Sequence, residues 1–366
     1  MLQSIARSCG TAAQAAAASI RQLVLGTLLA LAVGVQAQQP VPLKLRVVGG
    51  LAGVTQFTHL EKPFWTADLA RLSGGRYSAE IVAFDRAGVP GADMLRLLQL
   101  GVVPLGTVLM SSLSAQQPHY TAADLPGLNP DMATLRASLA AARPALEQAL
   151  RREHGVEPLA IYVYPAQVLF CRAHLRGLQD LRGRLVRVSS AAQGDFVTAL
   201  GAQPRLLAFA QFMPSIQAGT LDCAITGTMS GNALSLHQHT RYLHAMPITW
   251  GLAIFGANRA AWQALPADLR ELLQVQLPRL EAAIWHSAEE ETAQGLACNT
   301  GQASCTRGQR GTMKLVAASV QDEQLRRQVV RTSVLPRWLE RCGARCAELW
   351  RSTMGPIHGI ELPPEP

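Results

Sequence analysis

The sequence predicts an α/β protein of two lobes, with a cleft between them and one long helix lying behind both. Three observations predict it. Short apolar strands alternate with helical runs of about 8–15 residues, the pattern of β-α units with largely parallel sheets. No linker and no internal repeat separates the two halves, so the chain is expected to cross between the lobes more than once. The run 266–297 is strongly helical and, at 1.5 Å per residue, would extend roughly 45 Å.

Each element has its own justification. Residues 1–37 read as an export leader: Arg7 and Arg21 with no acid, then a thirteen-residue apolar run at 23–35, then Val35-Gln36-Ala37 as a small-residue cleavage site near Ala37. The apolar run falls short of the roughly 20 residues that span a bilayer. Its removal lowers the formal charge of +8 by two. Lobe I is expected over 38–160, with returning segments from about 250–290. It opens with a strand at 43–48, a helix at 57–72 stopped by Gly74-Gly75, a strand at 77–84, a helix at 93–100 and a strand at 104–110. A helix at 132–154 follows, which Pro144 should kink or split. A strand at 159–164 comes next, and lobe II is expected over 161–249, with strands at 185–188 and 221–226, helices at 193–200 and 211–218, and a cleft-crossing segment at 244–249. Pro278 should bend the long helix, and 298–366 form a helical, cysteine-bearing end.

Six cysteines remain after the leader, an even number that in an exported chain favours disulfides. Cys298 and Cys305 enclose a turn-rich segment that a local bridge would close. Cys342 and Cys346 stand one helical turn apart and can pair with that loop or with each other. Four sulfurs without two C-x-x-C knuckles make a weak zinc site.

Charge and composition exclude some partners. Only three of the 33 basic residues are lysines (Lys44, Lys62, Lys314), the arginines are scattered, and aromatics are 5%. A nucleic-acid partner is therefore not expected.

The segment 178–226 holds the chemistry. Arg187 lies between Val186 and Val188 inside a short strand, where a guanidinium is costly unless it meets an anion. The alternatives are an internal ion pair or a bound carboxylate, for which Arg has the matching fork. Around it stand Asp180, Leu181 and Gly183, and further on Phe209, Gln211, Ser215, Ile216, Gln217, Gly219 and Asp222. Together with the strand at the start, Gly74-Gly75-Arg76 and the ADLP tract at 123–126, these residues resemble the solute-binding proteins of TRAP transporters over nearly the whole mature chain.

That resemblance implies a periplasmic binding protein-like fold and a protein that catalyses nothing and needs no cofactor. It would capture a small organic-acid ligand in the periplasm and deliver it to integral-membrane TRAP permease subunits. It assigns Arg187 the ligand carboxylate, Phe209 an aromatic wall and Thr226 a ligand-facing place where many members have Asn. Gln167 falls near a second Arg of some members, which implies neutral hydrogen bonding at that end. Gln211 stands where the family usually has Glu, and Trp250 is expected to wall the pocket. Met213 for Tyr, Cys223 for Gly and the tract at 225–232 mark a divergent branch.

Two other functions use parts of the same pattern. A ligand-presenting module for a membrane sensor would share the cleft and Arg187. An exported hydrolase would need a nucleophile, yet Ser111-Ser112 and Ser189-Ser190 lack the G-x-S-x-G elbow, and Cys171 and Cys223 have no evident base. His237, His239 and His244 do not converge on a helix, so no metal site is expected.

Overall fold

The computed structural model describes residues 43–362. The expected leader and its cleavage point lie outside them. Two sheets organise the chain. The first holds β1 (Leu43–Gly49), β2 (Tyr77–Ala83), β3 (Leu105–Leu109), β4 (Val156–Val163) and β10 (Leu252–Asn258), in the order β2-β1-β3-β10-β4. The second holds β5 (Gln167–Cys171), β6 (Leu185–Val188), β7 (Gln203–Leu206), β8 (Cys223–Gly227), β9 (Tyr242–Thr249) and β11 (Lys314–Val316), in the order β11-β9-β5-β8-β6-β7. The chain therefore enters the second sheet between β4 and β5, returns between β9 and β10, and reaches the second sheet again at β11.

The sheets are mixed, which corrects the expectation of largely parallel ones. β1 runs parallel to β2 and β3, and β6 runs parallel to β7 and β8. β10 is antiparallel to β3 and β4, and β5 is antiparallel to β8 and β9. The antiparallel neighbours cluster at the crossings. A strand entered directly from the other sheet has no crossover helix to carry it back to the starting edge. The sequence reading omits β5, β7, β10 and β11 as strands and takes 244–249, which lies within β9, for a cleft-crossing segment, because short or uniformly apolar runs such as Leu252–Asn258 show no alternation.

Alternation does explain β1, where Leu45, Val47 and Gly49 turn inward. The first helical stretch covers 56–72 and is wound in part with i→i−5 hydrogen bonds. Neither proline ends its helix. Met132–Glu153 is one element through Pro144, and Ala267–Asn299 is one element of 33 residues through Pro278. A proline removes one intrahelical bond, whereas a long helix is held by its packed face. In the second case that face reads Leu269, Leu273, Leu277, Leu280, Ile284, Ala288, Glu291, Gly295 and Cys298, spaced three or four apart. Truncating one of its leucines would cost about 2–5 kcal/mol.

This helix touches both sheets' neighbourhoods. Trp285 Nε1 donates to the Ile161 carbonyl of β4 at 2.8 Å, and Asn299 Nδ2 donates to the Thr228 carbonyl just past β8 at 2.9 Å. Gly295 permits the second contact, since a Cβ there would stand 2.4 Å from the Met229 nitrogen. Beyond β11 the chain is helical over 320–342 and 344–358, with Trp338 and Trp350 fully buried. The six cysteines pair as Cys171–Cys223, Cys298–Cys305 and Cys342–Cys346. That pairing leaves no sulfur of the C-terminal four for zinc.

Candidate ligand-binding cleft

The parallel strands β1, β2 and β3 of one sheet and β6, β7 and β8 of the other end at a common cleft of about 430 Å³. Its lining begins just past the strands, at Leu51, Phe84 and Ser111 on one side and Ser189, Leu207 and Gly227 on the other. Loops at the carboxyl ends of parallel strands are where open α/β sheets place ligands.

Arg187 stands at the cleft from within β6. The residue is 2% exposed. Its Nε donates to the Leu207 carbonyl at 2.9 Å and its Nη1 to the Ile225 carbonyl at 2.7 Å. Beneath it lies the Phe212 ring, 4.6 Å from the guanidinium carbon to the centroid. Two neutral carbonyls and an aromatic face fix the fork without neutralising it. Among the described residues Arg187 forms no ion pair, and its Nη2 has no protein acceptor. Burial pushes its pKa down to about 9, so the buried cation is costly yet charged at neutral pH.

Gln167, Phe209, Thr226 and Gln211 line the same cleft. Gln193 Nε2 donates to the Gln167 Oε1 at 2.9 Å and to the Thr249 hydroxyl at 2.8 Å. The Gln167 carbonyl is thus engaged and its amide nitrogen remains as a donor. Phe209 is half-buried and meets Phe212 edge-on, with centroids 6.2 Å apart. Thr226 is buried on β8, whereas Gln211 is exposed at the rim.

Trp250 does not wall this cleft, contrary to expectation. Its indole is 3% exposed and donates to the Asn129 carbonyl at 3.1 Å. The reason is local. Asp124 accepts the backbone N–H groups of Trp250 at 3.0 Å and Gly251 at 2.7 Å, and Gly251 takes φ +78°, a turn that favours glycine. The ring is folded into the core, and Gly251 and Leu252 line the cleft in its place.

Sequence reasoning missed several lining groups. Ser111-Ser112 and Ser189-Ser190, unsuited as nucleophiles, both belong to the cleft, together with Ser114, Ser230, Tyr164 and Asp85. Each serine pair stands one or two residues past a strand, which was the signal available. Ser190 caps the helix Ala191–Ala199, and the Ala191 N–H donates to the Ser114 hydroxyl at 3.2 Å, tying the two sides together. The positive end of that helix adds to Arg187 in favouring an anion.

Other sequence candidates lie elsewhere. Asp222 accepts the Leu185 N–H at 2.8 Å and ties β8 to β6. His244 is buried 3.4 Å from Asp322, away from His237 and His239. No group of metal-binding side chains occurs among the described residues. Cys171 and Cys223, directly opposed on β5 and β8, are bonded to each other.

The family model of the bacterial extracellular solute-binding proteins, family 7 (DctP), matches residues 49–322, which run from the last residue of β1 to beyond β11. The chain belongs to this family. Its members are the ligand-binding receptors of TRAP transporters, not enzymes. No functionally curated relative matches the sequence. Among solved structures, this receptor is similar to a Bordetella pertussis extracytoplasmic solute receptor binding pyroglutamic acid, with TM-score 0.75 at 19% identity over 84% of this chain and 98% of that one. It is also similar to a TRAP periplasmic solute-binding protein from Sulfitobacter with bound β-D-galacturonate, with TM-score 0.72 at 15% identity over 85% and 99% of the two chains. A third, from Desulfovibrio salexigens with bound orotic acid, gives TM-score 0.74 at 16% identity over 87% and 99%. At such identities the likeness concerns the two-lobed α/β fold.

Proposed function

We propose that this receptor captures an organic-acid anion in the cleft through Arg187 and presents it to integral-membrane TRAP permease subunits. One observation carries the reading: a nearly fully buried guanidinium, held by carbonyls and an aromatic ring, with no ion-pair partner among the described residues. Leaving such a charge uncompensated is unfavourable, and a ligand carboxylate compensates it with a bidentate, charge-assisted pair. Phe209 covers the ligand, while Gln167, Thr226 and Gln211 supply uncharged hydrogen bonds. Lobe closure excludes water, strengthens the ion pair and forms the surface the permease reads. The chain is exported to the periplasm, its leader cut near Ala37.

Native mass spectrometry of freshly purified protein tests this directly. A co-purified small acid is expected, released on unfolding and absent from Arg187→Ala preparations. Equal retention of that acid by Arg187→Ala would remove Arg187 from the site.

A further inference from the structure

Among the described residues, the cleft is lined by one cation and one anion. Arg187 rises from β6 of the second sheet, and Asp85 stands just past β2 of the first. They are not paired with each other or with any other charged group among the described residues. The Asp85 Oδ1 accepts the Ala52 N–H at 2.8 Å, which fixes the carboxylate, and its Oδ2 has no donor among the described residues. The two unsatisfied charges are thus opposite in sign and borne by opposite sides of one cavity. The rest of the polar lining is hydroxyls and amides, which donate or accept equally well.

From this pair we infer the ligand class, an inference that rests on the carboxylate reading above. The cleft selects monocarboxylic acids bearing an N–H or O–H donor at the end away from the carboxylate, and Asp85 is the residue that rejects diacids. A distal donor satisfies the free Oδ2. A distal carboxylate meets a second carboxylate instead, with like charges confined in a cavity that holds one cation. Gln167, neutral and already bound to Gln193, supplies no charge to offset the second anion.

Isosteric ligands isolate that effect. Calorimetry at pH 7.5 with the mature protein compares each monoamide acid with its diacid: succinamate with succinate, glutaramate with glutarate, adipamate with adipate. At least one monoamide acid is expected to bind tenfold or more tightly than its diacid. Asp85→Asn keeps an acceptor for the Ala52 N–H and replaces the second oxygen by a donor, so the preference should narrow to within about threefold or reverse, with an unchanged melting temperature. The inference is overturned if the diacids bind equally well or better, if no monoamide acid binds, or if Asp85→Asn leaves the ratio unchanged. Arg187→Gln is the separate arm. Loss of all binding there, with an unchanged ratio in Asp85→Asn, removes the selectivity and leaves carboxylate capture standing. Unchanged binding in Arg187→Gln removes carboxylate capture itself.

Discussion

The guanidinium carbon of Arg187 lies 4.6 Å from the centre of the Phe212 ring, and Phe212 is completely buried. The floor under this cation is therefore an aromatic face. Such a face stabilises a desolvated guanidinium without cancelling its charge, so the charge remains available to a ligand.

Replacing Arg187 by Lys keeps a cation and removes the fork. An ammonium cannot hold two carbonyls and a carboxylate in one plane. Affinity for the co-purified acid should fall at least tenfold, while circular dichroism and melting stay near wild type. Equal affinity by calorimetry would show that charge alone matters.

Phe212→Leu removes the ring and leaves an aliphatic filler. Stability should drop by about 1–3 kcal/mol in urea unfolding from lost packing. Affinity should drop by about 0.5–2 kcal/mol from the lost cation–π support of Arg187. A stability loss without any affinity change would reduce Phe212 to core packing.

Trp250→Phe separates the core from the cleft. The indole donates to the Asn129 carbonyl inside the protein, so this change should lower the urea midpoint. Affinity should stay within about threefold, because Gly251 and Leu252 line the cleft there. A tenfold affinity loss with unchanged stability would restore the indole to the pocket wall.

Glu61 gives a pH dependence. It is fully buried, accepting from the Gly50 N–H at 2.8 Å and Gln56 Nε2 at 2.6 Å, and burial pushes its pKa up to about 7. The folded state then binds a proton that the unfolded state has released between about pH 4.5 and 7. Its contribution therefore falls as pH rises through that window, by at most about 1.4 kcal/mol per unit. Glu61→Gln removes this slope. Relative to wild type, the variant should gain about 2–3 kcal/mol between pH 5 and pH 7.5 in urea unfolding. A difference that does not change with pH would mean the carboxyl titrates normally.

The Cys171–Cys223 bridge spans 52 residues that include β6, β7 and the Arg187 segment. Changing both to Ala should cost about 2–5 kcal/mol of stability, read from the shift of the urea midpoint. The strands stay paired in register by their backbone, so affinity should hold within about threefold. A collapse of affinity would mean the bridge positions the cleft as well as stabilising it.

The sequence by itself determined the class of the fold, the long helix and the placing of Arg187 inside a strand. Those features are local: strand–helix alternation, a stripe of leucines every third or fourth residue, and one arginine between two valines. Tertiary structure decided which way the crossing strands run, since a short apolar run pairs in either direction until its neighbours are in place. It decided that Trp250 turns into the core while Gly251 meets the cleft, because an Asp124 carboxylate 126 residues earlier in the chain holds that turn. It also brought Asp85 and two serine pairs to the same cavity as Arg187. Their meeting depends on where separate strands end in space, and no spacing along the chain encodes that.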